Sequence, residues 1–297
     1  MLKLPPNRIG QSLQQVLWKV FGKFDDRSFL SAYYYMLRGR SSRHLNRPER
    51  LCDIINWMKI NYRPYFLHSL VDKYAVRNYV EKKVGREFLN EVFFVTDKFD
   101  ESTFKMLPHR YVLKATHGSA MNLICRGKNY GYDHIARVTN SWLRTDYYKT
   151  RREWAYKGLS KRIMCEKLLS HSNGEIPEDL KVMCFRGEPR FIQVDFDRFG
   201  KHKRDLYDTE WNKLPFTFKC DTLLPGSKVG MPKPKNLQKI LEVARELSNE
   251  LIFSRIDLYN IDQKKIVFGE ITIYPGSGSG TLNPDVYDYV YGRTLFV

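Results

Sequence analysis

The segment SRIDLYNIDQKKIVFGEITIYPGSGSG, residues 254–280, contains the pattern that decides the fold. Two runs in which apolar and polar residues alternate, 255–259 and 266–273, flank a mostly polar turn at 260–265. This arrangement is typical of a β-hairpin. Because successive side chains of a strand point to opposite faces of the sheet, we expect this hairpin to have one apolar face and one polar face.

The polar face of the predicted hairpin brings together groups that ordinary strands keep apart. Its members are Arg255, Asp257, Glu270 and Thr272, and the apolar members are Ile256, Leu258, Ile271 and Ile273. Neighbouring carboxylates repel each other unless a cation lies between them. Mg²⁺ is the expected cation, since it prefers oxygen ligands and often bridges carboxylates to phosphate. The alternative is an exposed hairpin with a solvated charged face.

The composition indicates a globular chain with a strongly positive charge. Of 297 residues, 42% are apolar and 14% aromatic, which is enough for a sizeable core in one large or two modest domains. The net charge of +17 is expected to attract polyanions such as nucleic acid, anionic lipid or an acidic glycan. The basic residues form no compact nucleic-acid signature, so we predict no specific nucleic-acid partner.

The cysteines and apolar runs favour the cytoplasm. Five cysteines are scattered without C-x-x-C spacing, which suits a reducing compartment and argues against a zinc site. All but Cys220 lie in apolar patterns and are expected to be buried. No apolar run is long enough to span a membrane, and the N-terminus lacks the features of a signal peptide.

The first residues form an amphipathic helical pattern that has two interpretations. Its apolar residues are Ile9, Leu13, Val16, Leu17 and Val20. The helix either packs on the body of the protein or lies on an anionic membrane surface. The second interpretation predicts peripheral association with the inner face of the membrane or with a glycan-assembly complex.

Along the rest of the chain the periodicity predicts a mixed α+β protein. Helices are predicted over residues 25–37, 48–60, 71–81 and 236–251, with a polar helical region over 135–157. A first set of strands is predicted over 92–96, 111–115 and 121–125, and a second set over 162–166, 180–185, 190–195 and the hairpin. We divide the chain into an N-terminal helical region, 1–70, a small lobe, 71–161, and a large lobe, 162–297.

A second group of residues predicts a phosphate-binding loop. Lys114 lies near the end of a predicted strand, and the small residues Gly118, Ser119 and Ala120 follow it. Their backbone N–H groups can approach phosphate oxygens closely, and Lys114 supplies a point charge. His117, beside the loop, is a further candidate for contact with phosphate or substrate. The loop is not a Walker sequence.

The hairpin pattern, R-x-D followed after twelve residues by E-x-x-x-x-P-G, resembles the metal-binding end of ATP-grasp enzymes. The chain as a whole resembles the TupA-like branch, which is linked to teichuronopeptide and other polysaccharide biosynthesis. The resemblance runs from about residue 25 to the end and is carried by DKYAVRNYV at 72–80, VLKATHGSAMN at 112–122, CFRGEPRFIQVDFDR at 184–198, RDLYDTEWNKLPF at 204–216 and the hairpin.

The resemblance implies a fold and a ligand set. The fold is the ATP-grasp fold, in which two α+β lobes clasp ATP, here with an N-terminal helical extension. The implied ATP contacts are Lys73 and Lys114 on the phosphates, Glu166 and Leu168 on the adenine, and Asp179 or Lys181 on the ribose. Asp257, Glu270 and Thr272 would bind Mg²⁺. Thr272 stands where the D-alanine–D-alanine ligase branch has Asn, so one or two Mg²⁺ ions remain open.

The implied activity is that of a carboxylate–amine ligase. ATP would convert a carboxylate to an acylphosphate, and an amine or amino acid would then attack it. Arg255 would bind the transferred phosphoryl group or the oxyanion, and Arg204 the phosphates or an acidic substrate. A uronic acid of a capsular or cell-surface polysaccharide is the expected carboxylate. The rival interpretations are a phosphotransferase on a sugar, a non-catalytic glycan-binding assembly protein, and a nucleic-acid binder.

Overall fold

The computed structural model describes residues 22–38, 42–127, 130–196, 201–219 and 224–295. Its α-helices are α1 (Asp26–Arg38), α2 (Leu51–Asn61), α3 (Leu67–Val71), α4 (Val76–Lys83), α5 (Glu101–Lys105), α6 (Tyr132–Arg144), α7 (Tyr147–Arg151), α8 (Leu237–Ser248) and α9 (Asp285–Arg293). Its strands are β1 (Val92–Thr96), β2 (Arg110–Ala115), β3 (Asn122–Arg126), β4 (Ile163–Lys167), β5 (Asp179–Phe185), β6 (Glu188–Phe196), β7 (Lys203–Asp208), β8 (Thr217–Lys219), β9 (Phe253–Ile261), β10 (Lys265–Thr272) and β11 (Thr281–Asn283). Short 3₁₀ turns cover Ser42–Leu45, Arg86–Phe88, Trp154–Tyr156 and Pro275–Gly278.

Two antiparallel sheets organise these elements. The small sheet has the strand order β1-β4-β2-β3, and the large sheet has the order β10-β9-β5-β6-β7. Strands β8 and β11 form a separate antiparallel pair. This arrangement is the predicted α+β architecture.

Each sheet has its own apolar core. On the small sheet, Leu113 and Cys165 share a buried cluster with Ile135 of α6. On the large sheet, the buried side of the strands forms one cluster with α2, α3 and α8, to which Val182, Ile256 and Leu247 belong. The stripe of α8 is buried as its period of 3.6 residues predicts.

The hairpin prediction is confirmed. Strands β9 and β10 pair directly, and their apolar members at 256, 258, 271 and 273 are no more than 3% exposed. The turn is shorter than expected, because both strands extend into it. Asp262 and Gln263 close it with φ angles of 52° and 58°.

One strand, β4, lies in a different sheet from the one predicted. The sequence groups residues 162–166 with the second set of strands, but β4 pairs with β1 and β2 and so completes the small sheet. All residues of β4 except the last are buried, and only the long-range pairing of this strand determines its sheet. The division into three units with a boundary at residue 162 stays a prediction.

The helix predicted over 71–81 is wrong at its start. The chain forms α3, leaves the helical path at Asp72 and Lys73, and resumes as α4. The side chain of Asp72 accepts hydrogen bonds from the two N–H groups at positions 74 and 75, and the N–H of Lys73 donates to the carbonyl of Thr116. Side chains that bond local backbone groups compete with helix formation in this way. The region 135–157 likewise divides into α6, α7 and a 3₁₀ turn.

Some predictions concern residues outside this description. The amphipathic helix with Ile9 to Val20 and the segment with Cys220 lie outside the described residues. Cys52, Cys125, Cys165 and Cys184 are buried, as expected. Across the described ranges, no helix has both the length and the apolar character that crossing a membrane requires.

Candidate nucleotide and metal site

The register of the hairpin places its polar residues face to face. Glu270 lies opposite Asp257, and Thr272 opposite Arg255. The register shifts between Phe268 and Glu270, so Gly269 forms a bulge. A Cβ atom at Gly269 would lie 2.9 Å from the carbonyl oxygen of Asp257, so the close approach of the two strands requires glycine there.

Arg255 holds the two carboxylates together. Its Nε and Nη2 donate to the two oxygens of Asp257 at 2.6 and 2.7 Å, and Nη2 also donates to Oε1 of Glu270 at 3.1 Å. Burial alone would lower the pKa of Arg255, but Asp257 and Glu270 raise it above its ordinary value. Burial raises the pKa of Asp257, and Arg255 and Lys181 oppose that rise. The guanidinium therefore bridges the buried carboxylate of Asp257 and the partly exposed carboxylate of Glu270.

Glu270 is held ionised by several cations. Burial would raise its pKa, but Lys73, then Arg255 and two further lysines lower it to about 2. Its Oε2 lies 3.6 Å from Nζ of Lys73. Thr272 donates its hydroxyl to Oε1 of Glu270 at 3.1 Å, so it orients this carboxylate.

Two lysines approach the cleft from the side of the small sheet, Lys114 on β2 and Lys73 between α3 and α4. Lys73 donates to the carbonyl oxygen of Gly118 at 2.6 Å, which fixes it beside the predicted phosphate loop. Lys114 forms an ion pair with Glu166 of the adjacent strand. Burial would lower the pKa of Lys114, but Glu166 raises it above its ordinary value. The ammonium group of Lys114 is thus charged at neutral pH.

A cavity of about 370 Å³ lies between the two sheets. Ten residues predicted to form the site line it, namely Lys73, Lys114, Ser119, Ala120, Asp179, Lys181, Arg204, Arg255, Asp257 and Glu270. They come from segments up to about 200 positions apart in the sequence. The structure therefore brings most of the predicted residues together in one cleft.

Five predicted residues do not line this cleft. They are His117, Gly118, Glu166, Leu168 and Thr272. The His117 ring is buried, and its Nε2 lies 3.0 Å from the carbonyl oxygen of Trp142 in α6, so it faces away from the nucleotide site. Burial lowers its pKa, which also disfavours a phosphate-binding imidazolium. The expected contact of His117 with phosphate is therefore not supported by its position.

The other four lie close to the cleft in different ways. Gly118 offers its carbonyl to Lys73, and a Cβ there would lie 2.1 Å from Cε of Met121, so a larger residue would require the end of the Met121 side chain to move. Glu166 acts through its ion pair with Lys114. Leu168 lines a larger cavity of about 900 Å³ beside the segment that joins the sheets. Its adenine contact stays a prediction.

Asp195 lies at the centre of a polar cluster in the cleft and was not predicted from the sequence. Asp195 of β6 accepts from Nε of Arg204 at 2.7 Å and from Nε2 of Gln193 at 3.0 Å, and its Oδ1 lies 3.2 Å from Nε2 of His202. Burial would raise the pKa of Asp195, but Arg204 and its other neighbours lower it well below its usual range. The alternation of Gln193 and Asp195 in a strand beside Lys181 was the available signal.

The residues present suit a hard divalent cation. The carboxylates of Asp257 and Glu270 both contact the same guanidinium group and line the same cleft, so one ion bound there would have both as neighbours. Mg²⁺ is commonly held by one or two carboxylates together with phosphate oxygens and water. Among the described residues, no group of three or more His, Cys, Asp or Glu side chains could hold a metal by itself. A two-carboxylate site that depends on phosphate agrees with both observations.

Two antiparallel sheets with a cation-lined cleft between them are the architecture of the ATP-grasp class. The sequence model of the TupA-like ATPgrasp family matches residues 53–296. The chain therefore belongs to the TupA-like ATP-grasp family. Among curated proteins, none matches this sequence.

Solved structures resemble the chain at low identity. The ADP complex of an N5-carboxyaminoimidazole ribonucleotide synthetase is 12% identical over 69% of this chain and 45% of that chain, with a TM-score of 0.42. The D-alanine–D-alanine ligase from Bacillus anthracis complexed with ATP is 14% identical over 77% and 63%, with a TM-score of 0.40. The ATP-grasp ligase PsnB, complexed with a precursor variant, Mg and ADP, is 9% identical over 83% and 65%, with a TM-score of 0.40. The chain thus spans between 45% and 65% of these proteins' lengths.

Proposed function

We propose that this protein is an ATP- and Mg²⁺-dependent carboxylate–amine ligase. Its substrate would be a uronic acid or similar carboxylate of a capsular or cell-surface polysaccharide. The main support is the cleft in which Lys73 and Lys114 of one side face Arg255, Asp257 and Glu270 of the other. Such an arrangement matches the needs of phosphoryl transfer, in which positioning and charge neutralisation dominate.

The first step would phosphorylate the carboxylate. An oxygen of the substrate carboxylate attacks the γ-phosphorus of ATP, the bond to the bridging oxygen breaks, and ADP and an acylphosphate form. Lys73 and Lys114 bind phosphate oxygens, and the loop residues Ser119 and Ala120, which line the cleft, offer backbone N–H groups to them. Arg255 is already fixed in its plane by Asp257, so its guanidinium meets the moving phosphoryl group with little loss of freedom.

The second step would form the amide. The amine nitrogen attacks the acyl carbon, the tetrahedral intermediate loses phosphate, and the proton of the amine passes to solvent. Arg255 stabilises the developing oxyanion. Arg204, which Asp195 and the carbonyl of Phe218 orient, lies on the same wall and binds a negatively charged substrate. No enzyme nucleophile takes part.

Asp257 and Glu270 would hold the metal ion. When bound, Mg²⁺ supplies Lewis-acid neutralisation of the phosphate oxygens. Thr272 keeps Glu270 oriented, and Lys73 and Arg255 keep it ionised without the metal. The carboxylates are therefore already in place for the cation when the nucleotide binds.

The polysaccharide substrate is supported by charge and by the family. The TupA-like branch that the sequence resembles is linked to polysaccharide biosynthesis, and the net charge of +17 suits a polyanionic glycan. We further propose that the protein works in the cytoplasm, where it meets ATP, with an amino acid or another amine as the second substrate. Association with the inner face of the membrane is a related proposal.

Isotope transfer tests the reaction. Oligosaccharides of glucuronic acid labelled with ¹⁸O in the carboxylate would be incubated with the enzyme, Mg²⁺-ATP and a mixture of amino acids. We expect one ¹⁸O atom from each reacted carboxylate to appear in the released phosphate, together with an amide product. Mass spectrometry of phosphate and glycan measures both.

Other results would reject the ligase reaction. ADP together with a stable phosphoester and no free phosphate would identify a sugar phosphotransferase on the same site. Glycan binding without any binding or turnover of ATP would identify a non-catalytic assembly protein. Retention on duplex DNA without nucleotide binding would identify a nucleic-acid binder.

A further inference from the structure

An imidazole and a carboxylate lie side by side in the wall of the cleft. Nε2 of His202 lies 3.2 Å from Oδ1 of Asp195, the same oxygen that accepts a hydrogen bond from Nε of Arg204. His202 directly precedes β7, and its side chain lines the cleft together with those of Asp195, Arg204 and Arg255. The imidazole is therefore part of the same cavity as the arginine that is expected to meet the acyl group.

The two nitrogens of the His202 ring have different surroundings. Nε2 is shielded from solvent, and Asp195 is the acceptor that lies within reach of its proton, whereas the side chain as a whole is 32% exposed. A carboxylate beside one nitrogen of a neutral imidazole favours the tautomer with the proton on that nitrogen. Nδ1 then carries the lone pair, so the ring can accept a proton from a molecule bound in the cleft.

Amide formation requires such an acceptor. An amine is largely protonated at neutral pH, and only its uncharged form has the lone pair that attacks an acyl carbon. The four carboxylates of the cleft each contact a lysine or arginine, and this makes them weak bases; they are Asp179, Asp195, Asp257 and Glu270. Among the described residues that line the cleft, His202 is the only histidine.

We propose, on the basis of the proposed function, that His202 is the general base of the second step and that Asp195 orients it. Nδ1 takes one proton from the ammonium group of the second substrate and releases it to solvent at the exposed side of the ring. The uncharged nitrogen forms the C–N bond. Its second proton passes to solvent as the C–O bond breaks, and the departing phosphate takes up one proton from solvent.

Two nucleophiles of different charge test this proposal. Hydroxylamine is uncharged at neutral pH and traps an acylphosphate as a hydroxamate without a base, whereas amino acids carry an ammonium group. His202→Gln keeps a donor for Asp195 but has no basic nitrogen. With glucuronic acid oligosaccharides and Mg²⁺-ATP, we expect this variant to form hydroxamate at close to the wild-type rate. Its amide formation from the amino-acid mixture should fall about 10²-fold or more, as expected when a general base is lost.

Raising the pH provides an independent readout. The uncharged fraction of the amino acids increases with pH, so the deficit of His202→Gln in amide formation should narrow as the pH approaches the pKa of the amine. The charged groups that face the ring from the described strands are Asp195 of β6 and Arg204 of β7, with Lys181 of β5 behind Asp195, and all three are unchanged in the variant. Added imidazole should restore amide formation in His202→Ala, which serves as the second variant.

A histidine outside the cleft provides the matched control. Nδ1 of His171 lies 3.3 Å from Oδ1 of Asp262, so this pair repeats the imidazole–carboxylate contact at the turn of the β9–β10 hairpin. His171→Gln should leave both hydroxamate and amide formation unchanged. Thermal melting establishes that each variant is folded.

The failures are distinguishable. Unchanged amide formation in folded His202→Gln, or an equal loss of hydroxamate and amide, would overturn the role of His202 while leaving the ligase function standing. A folded wild-type protein that forms no hydroxamate from ATP and the oligosaccharide would instead reject the proposed function, and the inference about His202 with it.

Discussion

At the residue scale, the carboxylate oxygens of Asp257 have two competing partners. Arg255 donates to both of them, and the proposed Mg²⁺ needs at least one. Asp257→Asn keeps the shape and removes the charge that holds both cations. We expect Mg²⁺-dependent ADP formation to fall about 10³-fold, since losing several kcal/mol of charge stabilisation has that effect. Steady-state ADP release measures it.

The turn of the same hairpin supplies a control for that variant. Asp262 is exposed and has φ of 52°, a conformation that asparagine tolerates well. Asp262→Asn should therefore leave ADP formation unchanged. Full activity in folded Asp257→Asn would contradict the metal assignment.

Lys114 and Glu166 form a second pair whose roles can be separated. Lys114→Met leaves Glu166 in a poorly solvated position without its partner, and we expect a loss of about 3 kcal/mol in the free energy of unfolding. Lys114→Met combined with Glu166→Gln should recover most of that stability, because the uncompensated charge is gone. The apparent KM for ATP should rise about tenfold or more in both variants, since both lack the phosphate-binding charge. Urea unfolding and ATP titrations measure the two effects, and unchanged ATP kinetics would argue against the phosphate role.

At the element scale, helix α2 supports the loop that follows β10. Gly276, Ser277 and Gly278 all have positive φ, between 54° and 62°. Asn56 donates to the carbonyl of Gly278 at 2.8 Å, and Lys59 donates to the carbonyl and hydroxyl of Ser277 at 2.8 and 2.9 Å. A backbone of this kind persists only where its surroundings hold it in place. Since Gly276 lines the cleft, α2 fixes one edge of the site.

Lys59 is therefore expected to affect both stability and turnover. Its side chain is fully buried, burial lowers its pKa to about 7, and the buried Glu153 opposes that fall. Lys59→Met leaves Glu153 without its counter-charge, and the free energy of unfolding should drop by about 3–5 kcal/mol. Adding Glu153→Gln should restore stability but not turnover, because Ser277 still lacks its donor. Recovery of turnover in the double variant would show that α2 acts on stability alone.

The hairpin could be predicted from sequence because its signal is local. Alternation with a period of two fixes which residues share a face, and Asp257 and Glu270 needed only a direct pairing to meet. Strand β4 was assigned to the wrong sheet because its pairing with β1 and β2 is set by long-range packing. The position of the His117 ring likewise depends on Trp142, which the local sequence does not reveal. Asp195 was missed for a similar reason, since its place in the cleft depends on the pairing of its strand with the strand of Lys181. Composition and periodicity carry no information about such pairings.

At the scale of the whole molecule, the site joins the two sheets through few contacts of its own. Lys73, anchored next to the small sheet, reaches Glu270 on the large sheet at 3.6 Å. Lysine and arginine side chains line the cleft on both sides. They favour the polyphosphate-bound state over the unbound state. Bound nucleotide should accordingly act as the main electrostatic link between the sheets.

Thermal unfolding can separate the nucleotide from the metal in this link. A ligand at about 100 times its Kd stabilises the folded state by about 2.7 kcal/mol, which for a chain of this size raises Tm by about 5 °C. We expect ATP alone to raise Tm by part of that amount and ATP with Mg²⁺ by all of it. In Asp257→Asn the increment due to Mg²⁺ should vanish while that due to ATP persists, because the lysines still bind phosphate. In Lys114→Met the increment due to ATP should shrink instead. An equal loss of both increments in both variants would mean that the two charges do not act on separate ligands, and the division of the cleft into phosphate and metal sides would be wrong.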